Sequence, residues 1–380
     1  MMVTRKTYAQ IIPLFLILLA SCIEPYSPPE IEAIENILVV DGFINISDNT
    51  ASVRLTQAAA LSDGATSYAE LNATVMVEDE NGSTFFLTEQ GDGNYYTSGT
   101  INLDITKKYR LHVTTTNQKQ YFSDYIEVKA TASIDSITWR PTDRRDGINI
   151  YVNSHDDNPE NIYYQWTFQE TWEYTAGNYS MYKLVDGEVE LNTQNLYMCW
   201  LSKPSTEINI ASTEHLSGNL VRDYQLVFIP KGAEKISRKY SILVEQRNLT
   251  KEAFDFWTQL KKTTENLGTL FDPLPSQVLG NLHSQTDSNE PVLGYFSGGS
   301  VSKKRIFIEI GDLPPDLRRS SPPPCAIEQI PNDQLSGSPD MLLIGTYGVP
   351  VVEGYTYSTG KNCMDCRDNG GVTSRPDYWD

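Results

Sequence analysis

The sequence predicts a mainly β protein: two antiparallel β-sandwich-like domains, one helix inserted in the second, and a loop-rich C-terminal segment. Three observations carry this. From residue 37 onward, short runs that alternate apolar with polar residues recur between turn residues. Only residues 250–266 place their apolar side chains at helical spacing. Residues 325–380 show little periodicity yet hold three of the five cysteines.

Residues 1–21 read as an export signal. Arg5 and Lys6 precede an apolar run over residues 11–20, and Ala20 and Ser21 stand just before Cys22. Ten residues rise only ~15 Å as a helix, about half of a bilayer core. Leu19-Ala20-Ser21-Cys22 resembles a bacterial lipobox. That resemblance implies acylation of the Cys22 thiol and cleavage just before it, leaving a lipid anchor in the membrane surface. Residues 22–36 follow as a tether, with Pro25, Pro28 and Pro29 favouring an extended spacer.

The first domain spans residues 37–130. Residues 37–40 form a buried strand and residues 52–55 alternate in character. Residues 74–77 lead into Asn81-Gly82, a strong hairpin signal, with residues 83–88 as the return strand. Gly91-Asp92-Gly93 turns into residues 94–96, and residues 109–113 and 125–128 complete the set. The order V-x-V-E-D-E-N-G, G-D-G-N-Y-Y, Y-R-L-H-V resembles transthyretin-like or immunoglobulin-like modules, which host many functions and imply none.

The second domain spans residues 131–324. Ile148, Ile150 and Val152 alternate as in a half-buried strand, and residues 163–172 form a long aromatic one. Tyr164, Trp166, Phe168, Trp172 and Tyr174 share one face. They read either as the inner face of a sandwich or as a platform for sugars or a partner protein. Further strands fall at residues 207–211, 224–229 and 240–245. Thr250 is the N-cap of the helix, Ala253, Trp257 and Leu260 lie on its packed face, and Gly268 follows its end. A strand pair is expected at residues 292–296 and 305–310, before the Pro-rich stretch that leads to the C-terminal segment, residues 325–380.

With Cys22 lipidated, Cys199, Cys325, Cys363 and Cys366 remain, an even number that favours two disulfides in an exported chain, with three pairings open. The Cys363-x-x-Cys366 spacing also suits half a zinc site, completed by Cys199, Cys325 or His283, or a redox pair. Asp156, Asp157, Asn158 and Glu160 read as a polar turn or as oxygen ligands for calcium. No zinc-protease, nucleophile-elbow, P-loop or dinucleotide motif occurs, so no cofactor and no enzymatic activity are expected. Removing residues 1–21 removes two basic residues and no acidic ones, taking the formal charge from −19 to −21. A surface that acidic repels nucleic acid and anionic headgroups.

Several segments together resemble a lipoprotein family of Bacteroidota described as a domain of unknown function. They include Cys22-Ile23-Glu24-Pro25-Tyr26, Leu38-Val39-Val40-Asp41-Gly42, Cys199-Trp200 and Gly268-Thr269-Leu270-Phe271-Asp272-Pro273. Gly280-Asn281, Gly294-Tyr295-Phe296, Cys363-Met364-Asp365-Cys366 and Arg375-Pro376-Asp377-Tyr378-Trp379 belong to the same pattern. Members are often encoded beside SusC-like, TonB-dependent outer-membrane receptors. The resemblance implies an accessory role at such a transporter. The resulting expectation is a lipid-anchored outer-membrane protein, facing the cell surface, that acts as a non-enzymatic accessory or cargo-binding module with a glycan or peptide as candidate ligand. The aromatic strand and the loop at residues 269–282 are its expected contact surfaces. The alternative is an independent glycan-binding or adhesive lipoprotein.

Overall fold

A computed structural model describes residues 37–58, 67–216, 218–265, 278–318, 325–360 and 362–379. The export signal, Cys22, the tether, Gly268 and residues 269–277 of the expected contact loop lie outside the described residues. The chain is mainly β, as its alternating runs require. Strands β1 (Leu38–Asn45), β2 (Thr50–Ala58), β3 (Ser67–Ala69), β4 (Thr74–Asp79), β5 (Thr84–Glu89), β6 (Asn94–Thr97), β7 (Tyr109–Thr114) and β8 (Gln120–Ser123) come first. The expected strand at residues 125–128 contributes only isolated bridges, such as Ile126 to Tyr109, while the true strand β8 lies just before it.

Next come β9 (Ile134–Pro141), β10 (Gly147–His155), β11 (Tyr163–Thr175), β12 (Tyr182–Val185), β13 (Glu188–Leu191) and β14 (Met198–Pro204). They are followed by β15 (Asn209–Ser212), β16 (Leu220–Pro230), β17 (Lys239–Asn248), helix α1 (Lys251–Thr264), β18 (Leu282–Ser284), β19 (Leu293–Gly299) and β20 (Ser302–Glu309). The C-terminal segment is less loop-rich than expected, holding β21 (Ile327–Pro331), β22 (Met341–Leu343), β23 (Gly345–Tyr347) and β24 (Gly354–Ser358). These strands are too short to show a period in sequence.

The first sheet runs β18-β8-β7-β4-β5-β6-β2-β1-β19, and a bridge from Leu279 to Leu293 nearly closes it. Its interior is filled by alternate residues such as Val40, Leu55, Val77, Leu111 and Phe296. The expected boundary at residue 130 therefore does not confine this sheet: β18 and β19 return to it from beyond the second domain. The expected pairing of β19 with β20 is also corrected. Strand β19 lies parallel to β1, and β20 lies antiparallel to β17 in another sheet. Two local features fix β19. Gly294 has φ +100°, and a Cβ there would sit 1.8 Å from the Val40 carbonyl oxygen. The Asn281 amide donates to Phe296 O at 2.8 Å and its carbonyl accepts from Phe296 N at 2.9 Å.

The β4–β5 hairpin is closed by Asp79, which is almost fully buried. Its Oδ1 accepts the Asn81 and Ser83 amides at 3.0 and 2.8 Å, and its Oδ2 meets Lys107 Nζ at 2.6 Å. The Lys107 hydrogen bond, aided by those amides, holds the Asp79 carboxyl down to about 2, against an ordinary 3.8. The ionised form is thus favoured by folding. Its stabilisation is complete above the unfolded-state pKa and is lost as pH falls from 3.8 toward 2. Comparing melting temperatures of wild type and Asp79→Asn across that range should show their difference shrinking toward low pH. A constant difference would reject this assignment.

In the second domain, the sheet β16-β10-β9 packs on the sheet β14-β11-β17-β20. Helix α1 begins where expected, with Thr250 Oγ1 accepting the Ala253 amide at 3.3 Å. It packs on β11 and β15 of this sheet and also reaches β19 of the first, with Phe256 against Tyr295 at a centroid distance of 4.9 Å. Phe256 is more deeply buried than Trp257 or Leu260, which are only partly covered.

Candidate functional site

The aromatic strand is core. Tyr164 and Trp166 are fully buried and Trp172 is 7% exposed, so none of the three can serve as a binding platform. The reason is position: β11 is central, flanked by β14 and β15 on one side and β17 on the other. Its other face, expected to be outer, is covered as well at Tyr163 and Gln165, where α1 and β15 pack.

The four cysteines form Cys199–Cys366 and Cys325–Cys363. Cys363 and Cys366 do not pair with each other, and all four sulfurs are consumed, which overturns both the zinc and the redox readings. The first disulfide joins the C-terminal segment to β14; Tyr174 Oη donates to Cys366 O at 2.6 Å beside it. From there the chain crosses the outer face of the second sheet. Trp379, 3% exposed, donates from Nε1 to Glu173 at 3.2 Å, and Arg305 stacks over Tyr378 at 3.7 Å. The family-like Arg375–Trp379 stretch is thus a structural strap.

Asp156 closes a turn. Its Oδ1 accepts the Asn158 amide at 2.9 Å, and its Oδ2 accepts from Asn161 at 2.9 Å and Asn248 at 3.3 Å. Asp157 joins no metal-binding group: among the described residues, no three His, Cys, Asp or Glu side chains converge.

Of the concavities among the described residues, two adjoin the first sheet. A groove of about 540 Å³ between the first sheet and the N-terminus of α1 is lined by Lys108, Lys129, Lys251, Asp124, Glu127 and Glu160. Lys108 pairs with Glu127 at 3.2 Å and Lys251 with Asp255 at 3.1 Å, both in solvent, so its charges largely neutralise one another. The second is a smaller pocket of about 320 Å³ at one end of the first sheet, lined by Leu38, Gln57, Glu70, Thr115, Asn117, Lys119 and Tyr121.

This pocket is assembled from distant parts of the chain. Leu38 begins β1, Gln57 lies near the end of β2, and Glu70 follows β3, held by its amide to Leu55 O at 3.0 Å. Thr115, Asn117 and Lys119 form the β7–β8 turn, closed by Thr115 N to Lys119 O at 3.0 Å. Tyr121, on β8, donates to Glu290 Oε1 at 3.0 Å, and Lys119 Nζ meets the same oxygen at 2.7 Å. Burial and the neighbouring Glu290 push the Tyr121 hydroxyl well above its ordinary value, keeping it a neutral donor. Glu70 is 5% exposed and accepts from the Gln57 amide. Sequence reasoning missed this site because no motif marks it. Its residues run from position 38 to 290 and meet only through the strand order.

Fold and site together define a disulfide-stapled, mainly β protein with a small polar pocket at the mouth of a nearly closed sheet. The chain belongs to the family described as a domain of unknown function, DUF4249, which matches residues 23–305. No curated protein matches it. Among solved structures it is similar to a crystal structure of a DUF4785 family protein from Legionella pneumophila, at 8% identity and a TM-score of 0.16. That likeness covers 52% of this chain and spans about half (48%) of the other, and bears on neither fold nor function.

Proposed function

We propose that the protein is a lipid-anchored outer-membrane lipoprotein, facing the cell surface, that acts without catalysis as an accessory or cargo-binding module of a TonB-dependent, SusC-like transport system. The observation that carries the anchoring is cysteine use. Four of the five cysteines pair among themselves, leaving Cys22, at the lipobox, as the one the fold does not consume. Paired cysteines also suit an oxidising compartment outside the cytoplasm. No helix among the described residues is long and apolar enough to cross a membrane, so in this reading attachment falls to the acyl chains. Tethering raises the local concentration beside a membrane partner, so modest intrinsic affinity suffices. The transporter partnership rests on the Bacteroidota resemblance.

Two measurements test the proposal. Cys22→Ala should move the protein from the membrane to the soluble fraction; tight membrane retention would defeat the anchoring. Mild-detergent purification of the tagged protein from native outer membranes should bring a TonB-dependent receptor in stoichiometric amount. Recovery of the protein alone would instead favour an independent surface binder, a reading to which the polar pocket lends a specific candidate site.

A further inference from the structure

We infer that the pocket at the mouth of the first sheet is a binding site for a primary ammonium group carried by a small hydroxylated or polar molecule. This deepens the cargo-binding reading and rests on it for biological role, though not for the binding itself.

The inference starts from Glu70. It is 5% exposed, and its Oε2 accepts from the neutral Gln57 amide. Among the described residues nothing donates to its Oε1, and no Lys, Arg or His lies within ion-pair distance of it. Glu70 lines the cavity, and its Oε1 is not among the enclosed side-chain oxygens that lack a partner, so a cationic group entering the cavity would find a carboxylate with no competing cation.

The nearest cation cannot serve. Lys119 Nζ is committed to Glu290 Oε1 at 2.7 Å, an oxygen that also accepts from Tyr121, while Ser284 donates to Glu290 Oε2 at 3.1 Å. Lys119 therefore neutralises Glu290, and Glu70 is left with only the neutral Gln57 amide as its side-chain partner. Gln57 gives one of its two N–H groups to Glu70 and keeps its carbonyl as a second acceptor.

The chemistry selects the ligand class. An ammonium offers three donors and a compact charge, matching one carboxylate oxygen flanked by neutral acceptors. A divalent metal ion would require several hard oxygens converging on one point, and no such group of carboxylates occurs among the described residues. Asn117 and Thr115 at the pocket can meet hydroxyl or carbonyl groups on the rest of the molecule. A volume of about 320 Å³ lies at the small end of ligand sites, suiting one sugar ring, an amino acid or a short diamine.

Isothermal titration of the purified mature chain in mild detergent, with no receptor present, tests this separately from the transporter partnership. Glucosamine, putrescine and glycine amide are the ammonium probes; glucose, N-acetylglucosamine and calcium chloride are the controls. At least one ammonium probe should bind saturably, the controls should not, and the ranking of the three probes identifies the source of the ammonium. Glu70→Gln should weaken binding roughly thirtyfold or more. Lys119→Met, which frees Glu290, should tighten it. Circular dichroism and thermal unfolding establish that each variant is folded, and two variants with opposite signs guard against one failing to fold. Equal binding of N-acetylglucosamine, binding of calcium alone, an unaffected Glu70→Gln, or no binding of any ammonium probe at millimolar concentration would each overturn the inference.

Discussion

Replacing Cys199 and Cys366 together by alanine should destabilise the protein by about 5 kcal/mol and free the C-terminal strap for proteolysis. The cross-link spans 167 residues, and the loop-entropy model gives roughly 5 kcal/mol for a closure of that length. The same model gives roughly 4 kcal/mol for Cys325–Cys363, which spans 38 residues. Position widens the difference. Cys199 and Cys366 are both fully buried, between β14 and the strap that carries Tyr378 and Trp379 onto the second sheet. Chemical denaturation of the two double variants, each lacking one disulfide, provides the comparison. The Cys199–Cys366 variant should show the larger loss and the earlier cleavage within residues 359–379. The reverse order would mean that the short cross-link, and not the long one, holds the segment in place.

Trp166→Ala should cost about 5 kcal/mol through two separable effects. The side chain is fully buried, stacked at 5.8 Å from Tyr164 and 4.5 Å from Tyr224 between the two sheets of the second domain. Truncating a buried indole to a methyl leaves a cavity worth about 3–5 kcal/mol. The second effect is polar. Trp166 Nε1 donates to Gln246 Oε1 at 2.9 Å, and Gln246 in turn donates to Ser154 Oγ at 2.8 Å and Ala132 O at 3.0 Å. Losing the indole leaves a fully buried amide oxygen without a donor, at about 1–3 kcal/mol. Trp166→Phe separates the two, since it keeps much of the volume and removes the hydrogen bond. It should recover more than half of the loss seen for alanine in urea-unfolding free energies. If alanine and phenylalanine cost the same, the hydrogen bond and not the packing would dominate.

Much of the local architecture was legible in the sequence for simple physical reasons. Alternation at Ile148, Ile150 and Val152 reports a face that must leave water, and those residues are fully buried on β10. Asn81-Gly82 supplies the left-handed turn of the β4–β5 hairpin, with Gly82 at φ +86°. Thr250 is the helix N-cap that its position before Ala253 suggests. Each of these is decided within a few residues by backbone sterics, turn chemistry or the period of one element.

The candidate site was not legible, nor were the partners of β19 or of the cysteines. Leu293–Gly299 reads as a strand from its own residues, but nothing local says that it lies parallel to β1 rather than beside β20. Four cysteines announce two disulfides, while their pairing follows from where β14 meets the strap. The aromatic run on β11 fits a core or an exposed platform equally well until both flanking strands and α1 are in place. Glu70 is one acid among 49 Asp and Glu until the sheet order buries it beside Gln57 and Lys119. The sequence by itself determined the β class, the turns and the helix start, because these depend on neighbours in the chain. Only the tertiary structure decided the sheet partners, the disulfide pairing and the pocket, because burial and charge balance depend on neighbours in space.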